Sequence, residues 1–194
     1  MNKIKVLIQG YAKQIEDGWV ASSTVTFVQS NGKNIIVDPG CNRKKLIEEL
    51  KNNNLKPEDI DFVLLTHNHT DHTLLTGIFD NAKVLNNEEI YDNDKQIEHN
   101  NKISETDLEI IQTPGHSNDH CSLIVKTNEG IYAIAGDVFW WTDEEKQRID
   151  RQSLLEHKDP YVKDEKALRE SREIILNLAD YIIPGHGKVF KVER

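Results

Sequence analysis

Cysteine is scarce. Cys41 and Cys121 are the only two among 194 residues. Two thiols cannot build the disulfide framework of a small secreted domain. Neither lies in a ligand-like cluster, so both read as small, at least partly buried residues and not as nucleophiles. Long apolar runs are also lacking. No stretch approaches the roughly 20 residues needed to cross a bilayer. The opening Met1 to Gly10 segment has neither a signal-peptide core nor a cleavage site. These absences point to a cytoplasmic protein with no membrane partner. Positive charge is in deficit, with 24 Lys and Arg against 33 Asp and Glu, a net charge of −9. That argues against charge-driven binding to long nucleic acids. It does not exclude cutting a single phosphodiester, because bound cations reverse the local charge. Repeats, low-complexity tracts and convincing linkers are absent, so residues 1–194 read as one domain with room for a substantial core.

What the chain has in excess is one dense polar cluster. Asp61-Phe62-Val63-Leu64-Leu65 reads as a buried strand. It runs straight into Thr66-His67-Asn68-His69-Thr70-Asp71-His72. Three imidazoles and a carboxylate at a strand end are costly to bury without a partner. A divalent metal supplies one, since neutral imidazole and carboxylate are ligands that zinc and similar ions take. His67 and His69 are two apart and point to one side of extended chain. Asp71 and His72 fall where a helix through Leu74-Leu75 and Ile78-Phe79 would begin. One pair can therefore grip one ion and the next pair a second ion beside it.

His67-x-His69-x-Asp71-His72 resembles the signature of the metallo-β-lactamase superfamily. Val37-Asp38-Pro39-Gly40, Thr113-Pro114-Gly115-His116, Ala135-Gly136-Asp137 and Pro184-Gly185-His186-Gly187 match further segments in the same order. The resemblance spans nearly the whole chain. It implies an α/β fold, an αββα sandwich of two mixed β-sheets flanked by helices. It assigns His67, His69 and His116 to one metal ion and Asp71, His72 and His186 to a second, with Asp137 bridging both. Asp71 would also orient the attacking hydroxide or move its proton. Asp38 would be a carboxylate orienting a metal-bound His, with a turn or helix-cap role as the alternative. His120, four residues after His116, would support the ligands or face substrate, against a hydrogen-bonded structural role. Zinc is the first choice for the two ions; because the ligand set has nitrogen and oxygen but no thiolate, iron and manganese are alternatives.

The implied reaction is hydrolysis by a hydroxide shared between two ions, with no covalent intermediate. Ser22 to Thr26, Ala135 to Phe139 and Ala179 to Gly187 are similar to the small metallo-β-lactamase domain-containing protein one group, as is the spacing from Asp159-Pro160 to Ser171-Arg172. The animal member of that group is associated with endoribonuclease activity. The resemblance thus implies a phosphodiester substrate, RNA among them. A small ester, thioester or lactone is the second expectation, and a non-catalytic metal-binding interaction module the third. An apolar pocket lined by Trp19, Trp140 and Trp141 would favour the second; a basic groove would favour the first. Homo-oligomerisation is left open.

Taken in order, residues 3–10 and 24–29 read as strands. Between them, 11–23 is too long for a tight hairpin, so Trp19 or Tyr11 would either border the site or, for Trp19, pack on the sheet. Asn31-Gly32 signals a hairpin into Ile35-Ile36-Val37. Leu46, Ile47 and Leu50 form the stripe of a helix over 42–53. Residues 86–106 read as mostly loop, with His99 solvated. Leu108 to Gln112 and Cys121 to Val125 read as strands. So does Ile131 to Ala135, which ends at Gly136-Asp137. Residues 138–159 do not fit a compact core, and Phe139-Trp140-Trp141 reads as a flap, a subunit contact or a satellite core. His157 is no ligand. A long helix from Pro160 to Asp180 places Arg172 on its outer face, and Tyr181-Ile182-Ile183 leads to His186.

Overall fold

A computed structural model of the chain describes residues 1–193. Strand β1 (Lys3–Ile8) is followed by a hairpin, β2 (Tyr11–Ile15) and β3 (Gly18–Ser22). A second hairpin follows, β4 (Val25–Ser30) and β5 (Lys33–Val37), then α1 (Arg43–Asn52), a 3-10 turn at Pro57–Asp59 and β6 (Phe62–Leu64). The short helix α2 (Thr70–Thr73) and a 3-10 turn at Thr76–Ile78 lead to β7 (Lys83–Leu85), β8 (Glu89–Asp92) and β9 (Lys95–Glu98). The second half holds β10 (Glu109–Gln112), β11 (Cys121–Lys126), β12 (Ile131–Trp140), α3 (Arg151–Glu156), α4 (Glu165–Leu178), β13 (Tyr181–His186) and β14 (Phe190–Lys191).

These strands form a seven-stranded sheet, β1-β4-β5-β6-β7-β8-β9, and a five-stranded sheet, β10-β11-β12-β13-β14. Both are mixed: β5, β6 and β7 run parallel in the first, and β12 and β13 in the second. The period of two along each strand builds the layers. In β5, Ile35 and Val37 face the space between the sheets, where they meet Leu123, Val125, Ile134 and Ile183. Ile36 between them faces the other way, into a layer with Leu46 and Leu50 of α1. In β12, Ile134 points inward while Ala133 and Ala135 pack under Leu168, Ile175 and Leu176 of α4. The result is helix, sheet, sheet, helix, the αββα sandwich.

Several local expectations change. Residues 11–23 are themselves a tight hairpin, with only Glu16 and Asp17 between the paired Ile15 and Gly18. The two loop residues are Glu16-Asp17, not the Asn-Gly or Asp-Gly pair that signals such a turn, since Gly18 already pairs with Ile15. Residues 89–98 form the β8–β9 hairpin at the sheet edge, despite their polarity. His99 is tied in there, its Nε2 against Asn86 O (2.9 Å) and its Nδ1 accepting from Asn101 N. Ile47 is exposed and leaves the α1 stripe to Leu46 and Leu50. Helix α2 stops after one turn, and Leu74 is exposed. The last helix starts at Glu165, not Pro160, because Asp164 caps it by accepting from Ala167 N (2.9 Å); such caps contribute about 1 kcal/mol.

The larger correction concerns residues 138–159. Strand β12 does not end at Gly136 but kinks there (φ 48°) and continues to Trp140. Val138, Phe139 and Trp141 are buried among α3, α4 and Phe190. They form neither a flap nor an exposed contact. The guanidinium of Arg172, expected outside, lies buried against Phe139.

Candidate metal centre

The parallel strands set the site. Asp38 follows β5, His67 follows β6, Asp137 sits at the kink of β12 and His186 ends β13. These strand ends meet at one rim of the sandwich. Asp71 and His72 enter from the first turn of α2. His116 arrives on the Pro114-Gly115 turn after β10.

The structure brings all seven expected ligands together in two groups. Ligand atoms, one from each of His67, His69, His116 and Asp137, lie within 4.8 Å of one another, and so do those of Asp71, His72 and His186. Asp137 stands between them. Its Oδ2 lies 3.3 Å from His116 Nε2 and 3.9 Å from His67 Nε2. Its Oδ1 lies 3.3 Å from His72 Nε2 and 3.8 Å from His186 Nε2. Asp71 Oδ2 lies 3.2 Å from His186 Nε2. Room for the Asp137 carboxylate comes from Gly185, where a Cβ would stand 1.8 Å from Asp137 Oδ1.

Four of the imidazoles are held from behind through Nδ1, which turns Nε2 inward. His72 Nδ1 donates to Asp38 Oδ2 (2.8 Å) and His116 Nδ1 to Asp159 Oδ2 (2.6 Å). His186 Nδ1 meets Tyr11 O (3.1 Å). Thr66 Oγ1 donates to Asp38 Oδ2 (2.7 Å), which leaves it to accept from His67 Nδ1 (3.1 Å). Asp38 therefore orients His72 directly and His67 through Thr66. Carboxylate–imidazole pairs of this kind fix the tautomer at metal sites.

Burial, then the neighbouring His72, push His67 well below the ordinary imidazole range. Burial, then His116, do the same more mildly to His69. Burial would raise Asp137, but the charges of His72 and His186 hold its carboxyl well below the usual range. Asp71 is likewise lowered: its burial is outweighed by its hydrogen bond to His186 and the charge of His72. Burial would lower His72, but the carboxylates of Asp137 and Asp38 outweigh it and hold that imidazole well above the ordinary range. Neutral His67 and His69 beside ionised Asp71 and Asp137 suit a cation, which would displace a proton from His72 on binding.

Hydrogen bonds do not satisfy this cluster. His67 Nε2, His72 Nε2 and Asp137 Oδ1 are buried without a hydrogen-bond partner. His116 Nε2 and His69 Nδ1 face each other at 3.0 Å. Each buried unsatisfied group costs about 1–3 kcal/mol. Divalent cations in the two groups would satisfy all of them, and the donor set suits zinc-like ions. The residues present fit a metal.

The remaining expected residues divide. His120 is buried and does not face substrate: its Nε2 accepts from Asp137 N (3.1 Å) and its ring stacks on His67. Trp19 and Trp140 line the pocket above the metal groups, a cavity of about 490 Å³. Trp141 does not. It packs against Phe190 and His157, away from that pocket, because successive strand residues face opposite sides. His157 bonds Trp140 O (2.7 Å) and is no ligand. Missed in the sequence were Thr66, Asp159, Leu74 and Tyr161. The last two line the pocket. Thr66 was legible from its place beside His67. Asp159 lies among charged residues and has the look of a surface acid.

A profile of the family described as the metallo-β-lactamase superfamily matches residues 18–90. Among solved structures, a metallo-β-lactamase-type protein from Thermotoga maritima superposes with a TM-score of 0.73 at 19% identity, over 98% of this chain and 99% of that one. AidC, a dizinc quorum-quenching lactonase solved with the product N-hexanoyl-L-homoserine, gives a TM-score of 0.62 at 15% identity, over 88% and 74%. At such identities the likeness is one of fold. Sequence goes further. Metallo-β-lactamase domain-containing protein 1 of Xenopus laevis is 30% identical over 98% of this chain and 82% of its own length. The mouse protein of that name is 35% identical over 82% of this chain, which spans 62% of the mouse protein's length. Identity sustained over so much of both chains extends the likeness from fold to descent, and the chain belongs to the metallo-β-lactamase superfamily of metal-dependent hydrolases.

Proposed function

We propose that the chain is a dinuclear metal-dependent hydrolase of a small carbonyl ester, thioester or lactone carrying an apolar group. The observation that carries the two-ion reading is Asp137, whose two oxygens each face a separate group of ligands. His67, His69 and His116 would hold one ion, Asp71, His72 and His186 the other, and Asp137 both. Zinc fits the donor set, with iron or manganese as the alternatives. Bound there, such ions supply Lewis acidity and a hydroxide at neutral pH.

The chain's own residues do the rest. Asp71, ionised and lining the pocket, accepts a hydrogen bond from the attacking water and takes part in moving its proton. Asp38 and Asp159 keep His72 and His116 in the tautomer that presents Nε2. No side-chain nucleophile is called for. Cys41 reaches the pocket wall, but its thiol donates to Ala21 O (3.0 Å) and burial raises its pKa.

The wall supports this substrate class. Ala12, Trp19, Ala21, Leu74, Trp140 and Tyr161 line it, and among the described residues no Lys or Arg does. Such a wall binds an apolar chain by area and offers a phosphate no cationic side chain. A phosphodiester, RNA among them, is the second reading, favoured by kinship with the domain-containing protein one group. The complete ligand set argues against a purely non-catalytic metal-binding module.

The test is a panel of aryl esters and lactones of increasing acyl length beside a labelled single-stranded RNA. Metal-loaded protein is compared with chelated protein and Asp137→Ala. Ester or lactone turnover that grows with chain length and disappears in both controls supports this reading. RNA cleavage with no ester turnover transfers the assignment to the phosphodiester.

A further inference from the structure

Helix α4 carries two residues whose burial its packing does not require. Ser171 and Arg172 are 2% and 3% exposed in the middle of an otherwise amphipathic helix. Leucine or alanine would fill a helix–sheet contact without desolvating a hydroxyl and a guanidinium. Both polar groups are instead spent on backbone carbonyls of distant segments. Ser171 Oγ donates to Pro114 O (2.7 Å), two residues before His116. Arg172 Nε donates to Val138 O (3.0 Å), one residue after Asp137. Arg172 Nη1 donates to His157 O (2.6 Å), two residues before Asp159, whose carboxylate orients His116.

The start of the same helix completes the grip. Gly115 O accepts from Lys163 N (2.8 Å) and Asp164 N (3.0 Å). Gly115 (φ 133°) packs so closely on Leu168 that a Cβ there would lie 2.2 Å from the Leu168 nitrogen. Three separate segments, carrying His116, Asp137 and Asp159, are thus held by one face of one helix. None of the hydrogen bonds from Ser171 or Arg172 reaches the segments carrying Asp71, His72 or His186.

We propose that Ser171 and Arg172 are positioning residues acting through backbone carbonyls: Ser171, through Pro114, for the ion held by His67, His69 and His116 alone, and Arg172, through His157, for that same ion and, through Val138 beside the shared Asp137, to a lesser degree for the other. The inference rests on the reading that these histidines hold a metal. It predicts an asymmetry that a purely structural role does not. Loosening this clamp moves His116 and its partner Asp159 together. It leaves His72 on Asp38, and His186 on Tyr11 O, as they were.

The test is titration of metal-free protein with Co2+, following stoichiometry, affinity and the visible absorption of each bound ion. Wild type, Ser171→Ala, Arg172→Lys and Arg172→Leu are compared with His116→Ala, His72→Ala and a packing control, Ile175→Val. Wild type binding two ions confirms the underlying reading before any variant is considered; one ion or none overturns it and the clamp together. With two ions bound, Ser171→Ala is expected to keep one ion at wild-type affinity and weaken the other about 10–100-fold, and Arg172→Leu to weaken that same ion as much and the second, which shares Asp137, by less. Their spectra should shift toward that of His116→Ala and not that of His72→Ala. Arg172→Lys, able to reach one carbonyl but not two in fixed geometry, should fall between. If Arg172→Leu does not fold, the two milder variants carry the same comparison. Both ions weakening equally in Ser171→Ala, or folded variants that bind like Ile175→Val, would overturn the proposal.

Discussion

The backbone N–H of Asp137 donates to Nε2 of His120 across 3.1 Å. That ring must therefore carry its proton on Nδ1, which faces Thr113 Oγ1 at 3.0 Å. A second proton on Nε2 would break the bond and set a charge beside His67. Burial, then the charge of His116, lower the His120 pKa to about 3. An unfolded chain takes that proton near pH ~6.5. The folded pKa is depressed, so the stability this group contributes is full above about 6.5 and is lost as pH falls toward 3. Metal-free protein should lose up to about 1.4 kcal/mol per pH unit from this residue. Urea unfolding at pH 7 and pH 5 should show a shallower loss for His120→Gln than for wild type. Equal losses would contradict the account.

Asp38 serves two imidazoles with one carboxylate, and does so from a left-handed backbone (φ 50°). Asp38→Asn preserves its shape and removes its charge. Metal affinity is expected to fall about 10–100-fold while the fold persists, because Asn can still accept from Thr66 N. Competition with a chelator measures the first, and circular dichroism the second. Unchanged affinity would remove Asp38 from the metal centre.

Two of the three tryptophans separate function from packing. Trp19 is 40% exposed on the β2–β3 hairpin, its ring edge-on to Tyr161 at the pocket mouth. Trp19→Ala should raise KM about tenfold for an ester with a medium acyl chain, on an aromatic contact of about 0.5–1.5 kcal/mol plus the apolar area lost. It should leave an acetyl ester unchanged. Trp141, 3% exposed against Phe190, should do the reverse. Trp141→Ala should cost about 3–5 kcal/mol of stability with KM unaltered in whatever protein folds. Steady-state kinetics and thermal melts read the two apart.

The metal-binding segments were legible because their chemistry is local: HxHxDH at a strand end and Gly-His turns show their residue types in sequence. The sandwich followed from the resemblance alone; apolar runs such as Ile35-Ile36-Val37 marked single strands and not their layering. What eluded the sequence was set by tertiary contact. Asp159 becomes a His116 partner only once α4 packs beside β12. Arg172 has the pattern of an outward residue and is drawn in by the carbonyls of Val138 and His157. The β8–β9 hairpin is polar because it lies at a sheet edge with little to bury. Trp140 and Trp141 cannot be told apart by composition. Only the strand's alternation sends one to the pocket and the other to the core.

Metal stoichiometry of wild type against Asp137→Ala tests the central claim most directly. If Asp137 joins two ion sites through its two oxygens, purified wild type reconstituted with zinc should hold two ions per chain. Asp137→Ala should lose tight binding of both and at least about a thousandfold of its hydrolytic rate, the scale expected when a group stabilising developing charge is removed. An Asp137→Ala protein that still held two ions and turned over normally would contradict the account.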